Sequence, residues 1–248
     1  MKKKTILLTN DDGFDSPGII ALKAELERVA KVITIAPSGP RSGVGKTHNR
    51  HAPLALKKIG KNYYSFDGNP ADCVQIALHS ICKKPDLIVS GINRGENWGI
   101  AHFFLSGTQG AAIEGALFKI PGIAFSQYFE DWGSAREKTA DSYMPGARIA
   151  SELVSILLES FPKEIDYFNV NFPEGSSDET EWVNTKFAEF DWKMVLEKKG
   201  GKFSHKRGAW GKPIPAKGTD ADAILKGKVS ITPVKLKVEN PELEWFKK

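Results

Sequence analysis

Two adjacent carboxylates, Asp11 and Asp12, follow directly on a short apolar run from Lys4 to Thr9. Like charges side by side repel each other, and a divalent cation between them would remove the conflict. Taken alone, Asp11-Asp12-Gly13 reads equally well as a turn ahead of Ser16. Two further loops decide between the readings. Arg41-Ser42-Gly43 comes after a second apolar run, and Ser90-Gly91-Ile92-Asn93 closes a third. In open α/β sheets, ligands bind outside the carboxyl ends of the strands. Such a fold would draw two carboxylates, the Ser42 hydroxyl and the Asn93 amide oxygen toward one crevice. Those are hard oxygen donors, suited to Mg²⁺, Mn²⁺ or Ca²⁺ rather than to tetrahedral zinc. The metal reading is therefore preferred to the turn.

One neighbouring pattern is a decoy. Gly43-Val44-Gly45-Lys46-Thr47 imitates the end of a phosphate-binding G-x-x-x-x-G-K-T loop, but Pro40 stands where its first glycine belongs. The true loop also leads into a helix, whereas His48-Asn49-Arg50-His51-Ala52-Pro53 follows here. Lys46 is left open to a phosphate contact. His48, His51 and His102 lie near these loops, and each by itself is expected to be solvated rather than catalytic.

The elements that must position these residues alternate. Strands are expected at Lys4–Thr9, Val32–Ala36, Asp86–Ser90, Ile123–Ser126 and Tyr167–Phe172, with shorter ones at Leu54–Lys57 and Tyr63–Phe66. Ser16-Pro17 opens a helix whose Ile19, Leu22, Leu26 and Val29 share one face. Further helices are expected from Asn69-Pro70 through Ile81, from Thr108 to Phe118, and around Ala150 to Leu158; Gly91–Leu105 reads as a loop. Strand alternating with helix implies a mostly parallel, doubly wound α/β sheet. Beyond 175 the pattern fades, and Val229–Val234 is the one clear strand. The division expected is a core over 1–175 and an extension over 176–248 that serves subunit contacts.

Composition bounds the function. The 248 residues allow a core that needs no disulfide, and Cys73 and Cys82 fit no metal or redox motif. A net charge of +5, with lysines at 2–4 and a late basic group of Lys198, Lys199, Lys202, Lys206 and Arg207, is too dispersed for a stable nucleic-acid partner. It suits a small anionic substrate. No apolar stretch could span a bilayer or form a signal-peptide core, which predicts a cytoplasmic protein without a membrane partner.

Taken in order, the motifs resemble the SurE survival-protein family of 5′/3′-nucleotidases. They are Thr9-Asn10-Asp11-Asp12-Gly13 with Ser16-Pro17-Gly18, Ala36-Pro37 with Arg41-Ser42-Gly43, Gly68-Asn69-Pro70-Ala71-Asp72-Cys73, and Ser90-Gly91-Ile92-Asn93-Arg94-Gly95-Glu96-Asn97. Ser106-Gly107-Thr108 with Glu114-Gly115, Asn169-Val170-Asn171-Phe172-Pro173 and Gly218-Thr219-Asp220 continue the series. The resemblance implies a Rossmann-like core, a single divalent metal (Mg²⁺, Mn²⁺ or similar) on Asp11, Asp12, Ser42 and Asn93, and homodimers or homotetramers. It implies hydrolysis of nucleoside 5′- and 3′-monophosphates by a metal-activated water, with Asp11 and Asp12 catalytic and Asp12 accepting the water proton. Asn97, Ser106, Gly107 and Thr108 would face the substrate phosphate. The chain departs from the family pattern at Ile100–Leu105, which lacks the usual acidic residue, and at Val44-Gly45-Lys46.

Overall fold

The computed structural model describes residues 3–135, 137–193, 196–205 and 211–237. Lys206 and Arg207 of the late basic group lie outside them. The chain opens with β1 (Thr5–Thr9), α1 (Pro17–Val29), β2 (Lys31–Pro37), β3 (Leu56–Gly60) and β4 (Tyr63–Phe66). Then come α2 (Pro70–Ile76), β5 (Leu87–Arg94), α3 (Gly99–Leu105), α4 (Gly107–Leu117), β6 (Gly122–Gln127), α5 (Trp132–Ala135), α6 (Met144–Glu159) and β7 (Tyr167–Phe172). The last stretch holds β8 (Trp182–Asn184), β9 (Glu189–Asp191), β10 (Leu196–Lys199), β11 (Lys202–His205), β12 (Lys212–Ile214), α7 (Asp220–Leu225) and β13 (Val229–Val234).

Nine strands form one sheet in the order β3-β4-β2-β1-β5-β6-β7-β13-β8. Pairing is parallel from β4 through β7 and between β13 and β8, and antiparallel at β3/β4 and β7/β13. This is the expected α/β, Rossmann-like arrangement, mostly parallel and covered on both faces. Alternation along β1 shows why. Ile6 and Leu8 join one apolar cluster with Ile19, Leu22 and Leu26 of α1 and Val154 of α6, while Leu7 points the other way, toward Cys73 and Val74 of α2 and Ala111 of α4. Both cysteines are buried and free.

The chain winds outward from β1 in both directions, with β2 on one side and β5 on the other. A crevice opens where the order reverses, and the loops after β1, β2 and β5 all leave at that end. Two glycines let the elements close around it. A Cβ on Gly18 would lie 2.0 Å from Ile92 O, so α1 can begin against the end of β5 only with glycine there. Gly91 has φ +134°, and a Cβ there would sit 2.4 Å from Phe125 O.

Three local expectations change. Gly91–Leu105 is not one loop: β5 runs on to Arg94 past an irregularity between Ser90 and Asn93, and Gly99–Leu105 is a helix. The helix begun at Pro70 ends as a π turn over Ala77–Ile81. Val229–Val234 is not the one strand beyond 175, since β8 joins the main sheet and β9–β12 form two hairpin-like pairs. The sheet thus draws its far edge from the end of the chain. Asp220 ties that edge inward, accepting N–H bonds from Gly99 at 2.7 Å, Ala188 at 2.9 Å and Ala221 at 2.8 Å.

Candidate active site

The loop after β1 is held by its own asparagine. Asn10 Nδ2 donates to Gly13 O and to Ser16 Oγ, and Asn10 Oδ1 accepts from Gly13 N. Ser16 occupies the N-cap position of α1 without a side-chain bond to its helix, because its hydroxyl serves Asn10. The turn so formed presents Asp11 and Asp12 toward the crevice, 5% and 9% exposed.

Each carboxylate is fixed through one oxygen. Thr108 Oγ1 donates to Asp11 Oδ1 at 2.6 Å, and Arg94 N donates to Asp12 Oδ2 at 2.8 Å. Asp12 Oδ1 stands 3.7 Å from Arg94 Nη2. Burial and the neighbouring Asp12 charge push the Asp11 carboxyl above the usual carboxylate range, against the opposing Thr108 hydrogen bond. Burial raises Asp12 too, opposed by the Arg94 N–H and guanidinium. Two buried carboxyls therefore share a place where their charges are disfavoured and one guanidinium at 3.7 Å is a poor counter-charge.

The residues of the other two loops reach the same end of the sheet. Arg41 N donates to Asp11 O at 2.7 Å, which brings Ser42, exposed on its loop, next to the acidic pair. Asn93 Nδ2 donates to Gly95 O at 2.8 Å and leaves Oδ1 as an acceptor. Gly107 closes the fourth side, where a Cβ would come within 2.9 Å of Asp11 Cβ. Among the described residues no group of three or more His, Cys, Asp and Glu gathers as a metal site. The donors here are two carboxylates and two neutral oxygens, which fit a hard dication that keeps part of its water shell.

The four expected substrate contacts divide. Ser106 caps α4, its Oγ accepting from Gln109 N at 3.1 Å, and Gly107 and Thr108 form the first turn of that helix. Thr108 is fully buried on Asp11, so its hydroxyl faces the carboxylate. Asn97 is built into the ends of β6 and β7: its N donates to Asn171 Oδ1 at 2.7 Å, its Nδ2 to Ser126 Oγ at 2.8 Å, and its O accepts from Asn169 Nδ2 at 2.7 Å.

Sequence pattern missed Arg94, which stood inside a quoted motif with no role of its own. It also missed the buried polar row of Ser126, Asn169 and Asn171, although polar residues alternating inside two apolar strands were a signal. Lys46 and His48 depart from expectation. Lys46 Nζ pairs with Glu114 Oε2 at 2.6 Å, and the His48 side chain, 9% exposed, sits between Asp72 and Glu114 rather than in solvent. His102 is likewise largely buried, its ring pushed down to about 4 by desolvation, and burial lifts Glu96 to about 7. His102 lies within the segment at 100–105 and Glu96 just ahead of it.

With that geometry in hand, the relatives agree among themselves. A family model described as survival protein SurE matches residues 6–194. A protein of Aquifex aeolicus named 5′-nucleotidase SurE is 35% identical, over 95% of this chain and 94% of its own. One of the same name from Ruegeria pomeroyi is 35% identical over 93% of both chains. The crystal structure of the SurE protein from Aquifex aeolicus superimposes with a TM-score of 0.80 at 33% identity, covering 95% of each chain. Among the described residues no helix is long and apolar enough to cross a membrane.

Proposed function

The chain belongs to the survival protein SurE family, and on that premise we propose that it is a phosphomonoesterase of nucleoside 5′- and 3′-monophosphates, dependent on one divalent cation. The observation that carries the metal is the acidic pair. Two carboxylates buried side by side are raised by their own burial and mutual repulsion, and the oxygens around them suit a hard dication. Asp11, Asp12, Ser42 and Asn93 would hold it.

When bound, a divalent cation supplies an acidified water and positive charge for the phosphoryl oxygens. The rest falls to the chain. Asp11 Oδ2 and Asp12 Oδ1 are the carboxylate oxygens free of a short hydrogen bond, and Asp12 Oδ1 takes the proton of the attacking water. The first turn of α4 receives the phosphate at the Gly107 N–H and the Ser106 cap, while the Thr108 N–H and hydroxyl both turn to Asp11. Thr108 Oγ1 keeps Asp11 in place, and Asn97 fixes the loop that walls the site. The step is direct displacement by water and needs no phosphorylated side chain.

Lys46 speaks against a nucleotide-triphosphate switch, because its ammonium already answers Glu114. The extension from 176 onward is assigned to contacts within a homodimer or homotetramer. Its β9–β12 arm exposes Trp192, Leu196, Phe203 and Ile214 together, more apolar surface than a solvated hairpin requires. The test of the activity is phosphate release from AMP with Mn²⁺ or Mg²⁺, against a chelated control. Undiminished release after thorough EDTA treatment would refute the metal-dependent reading.

A further inference from the structure

We infer that Lys46 is a positioning residue for the metal-bearing loop, acting through a polar network, centred on the buried Glu114 and Asp72, that ties that loop to α2 and α4. The inference rests on the metal reading of Asp11, Asp12, Ser42 and Asn93. Glu114 lies on α4 and is 2% exposed, so its carboxylate is an anion inside the protein and needs a cation close by. Lys46 Nζ supplies it at 2.6 Å. Gln75 Nε2 of α2 donates to the other oxygen, Glu114 Oε1, at 2.8 Å. His48 bridges to a second acid: its Nδ1 lies 2.9 Å from Asp72 Oδ1, and its Nε2 lies 3.1 Å from Lys46 Nζ and 3.3 Å from Glu114 Oε2. Asp72 Oδ2 then takes the N–H groups of Asn49 at 3.0 Å and Asn69 at 2.9 Å.

The network bears on Ser42 through a short span of chain. Arg41 N is fixed on Asp11 O at 2.7 Å and Gly45 N on Leu105 O at 2.9 Å, so Ser42, Gly43 and Val44 bridge two anchors. The second anchor is a close fit as well as a bond. A Cβ on Gly110 would sit 2.5 Å from Gly45 O, and one on Gly45 itself would sit 2.5 Å from Phe104 O. Lys46 comes next in the chain and holds that anchor down on α4 by charge. A phosphate-loop lysine faces outward to its ligand; here the side chain turns inward, and its charge orders backbone. Val44, Gly45 and Lys46 thus act on the geometry of a proposed metal ligand they do not include.

The test is Mn²⁺ binding to the full chain without substrate, followed by the paramagnetic resonance of free Mn²⁺. Lys46→Met should weaken the apparent Kd by about tenfold or more, the scale on which supporting partners of a ligand act, while Lys46→Arg stays near wild type. Turnover lost at limiting Mn²⁺ should return as Mn²⁺ is raised. A folded Lys46→Met protein that binds Mn²⁺ as wild type does overturns the inference. Should that variant fail to fold, Lys46→Met with Glu114→Gln removes both charges at similar shape. Weakened binding by this double variant supports the tie, and wild-type binding overturns it. Asp11→Asn separates the two levels. If it too binds Mn²⁺ normally, the metal reading itself falls; if it binds weakly while Lys46→Met does not, only the positioning role falls.

Discussion

Thr108 Oγ1 donates to Asp11 Oδ1 at 2.6 Å, joining the first turn of α4 to the loop after β1 with both side chains out of solvent. One hydroxyl thereby decides which way a buried carboxylate faces. Thr108→Val keeps the shape and removes the donor. Turnover at fixed, subsaturating Mn²⁺ should fall about ten- to a hundredfold. Stability should fall by only about 1–3 kcal/mol, measurable by urea unfolding of the chelated protein. Equal activity in the two proteins would show that the bond does not orient the site.

Asp11→Asn and Asp12→Asn each remove one charge from the proposed metal and little volume. Turnover of AMP should drop by about a hundredfold or more, since a weakly held cation no longer acidifies its water. Without metal, either change relieves a like-charge repulsion, so the chelated variants should melt no lower than chelated wild type. Added Mn²⁺ should raise the wild-type Tm much more than that of either variant, because a ligand stabilises the state that binds it. Full activity in a folded variant would remove that residue from the ligand set.

The acidic pair also predicts a pH dependence for the metal-free protein. Folding raises Asp11 from 3.8 to about 7. Between those values the native state holds a proton that the unfolded chain releases, so this contribution is fully present at low pH and is lost as pH rises toward 7. Chelated wild type should lose more stability from pH 4.5 to pH 7.5 than chelated Asp11→Asn does. His102 works in the opposite sense: lowered to about 4, it is stabilising above 6.5 and loses that stabilisation as pH falls. Comparing each variant with wild type at the same pH isolates its own share. Parallel stability curves for wild type and Asp11→Asn would contradict the first assignment.

Phe203 stands exposed on the arm with Trp192, Leu196 and Ile214. Phe203→Asp places a charge in that apolar surface and should shift the proposed homodimer or homotetramer toward smaller species, read by light scattering at micromolar protein. An unchanged assembly would separate the arm from subunit contacts.

Much of this architecture could be read from residue order. β4, β7 and β13 fall where the apolar runs placed them, because each run is bounded by turn residues and buried on at least one side. Asp11 and Asp12 were legible because adjacent acids at a strand end are an electrostatic oddity. Other features carry no local signal. β5 continues past Gly91 to Asn93, residues with little strand preference, because β6 is there to pair with Asn93 and Arg94 beyond the irregularity. α3 is seven residues without a side-chain cap and rests instead on the Asp220 bond to Gly99. β9–β12 are short and largely exposed, so pairing rather than burial makes them strands. Lys46 and Glu114 meet only in three dimensions, and nothing in either neighbourhood announces the other.

The Asp220 clamp has a consequence for synthesis. Gly99 opens the wall of the site, yet its partner lies 121 positions later in the chain. At about 5–20 residues per second on the ribosome, that separation is on the order of ten seconds. β7, once made within that interval, has no β13 beside it until the chain has passed Asp220, and the acidic pair has emerged into a half-built crevice. A nascent chain of this protein therefore passes through an open-edged intermediate whose edge could pair with another chain, and its lifetime is set by translation rather than by diffusion. Slowing elongation between α4 and α7 should lengthen that exposure and lower the yield of active enzyme without altering a single residue of it.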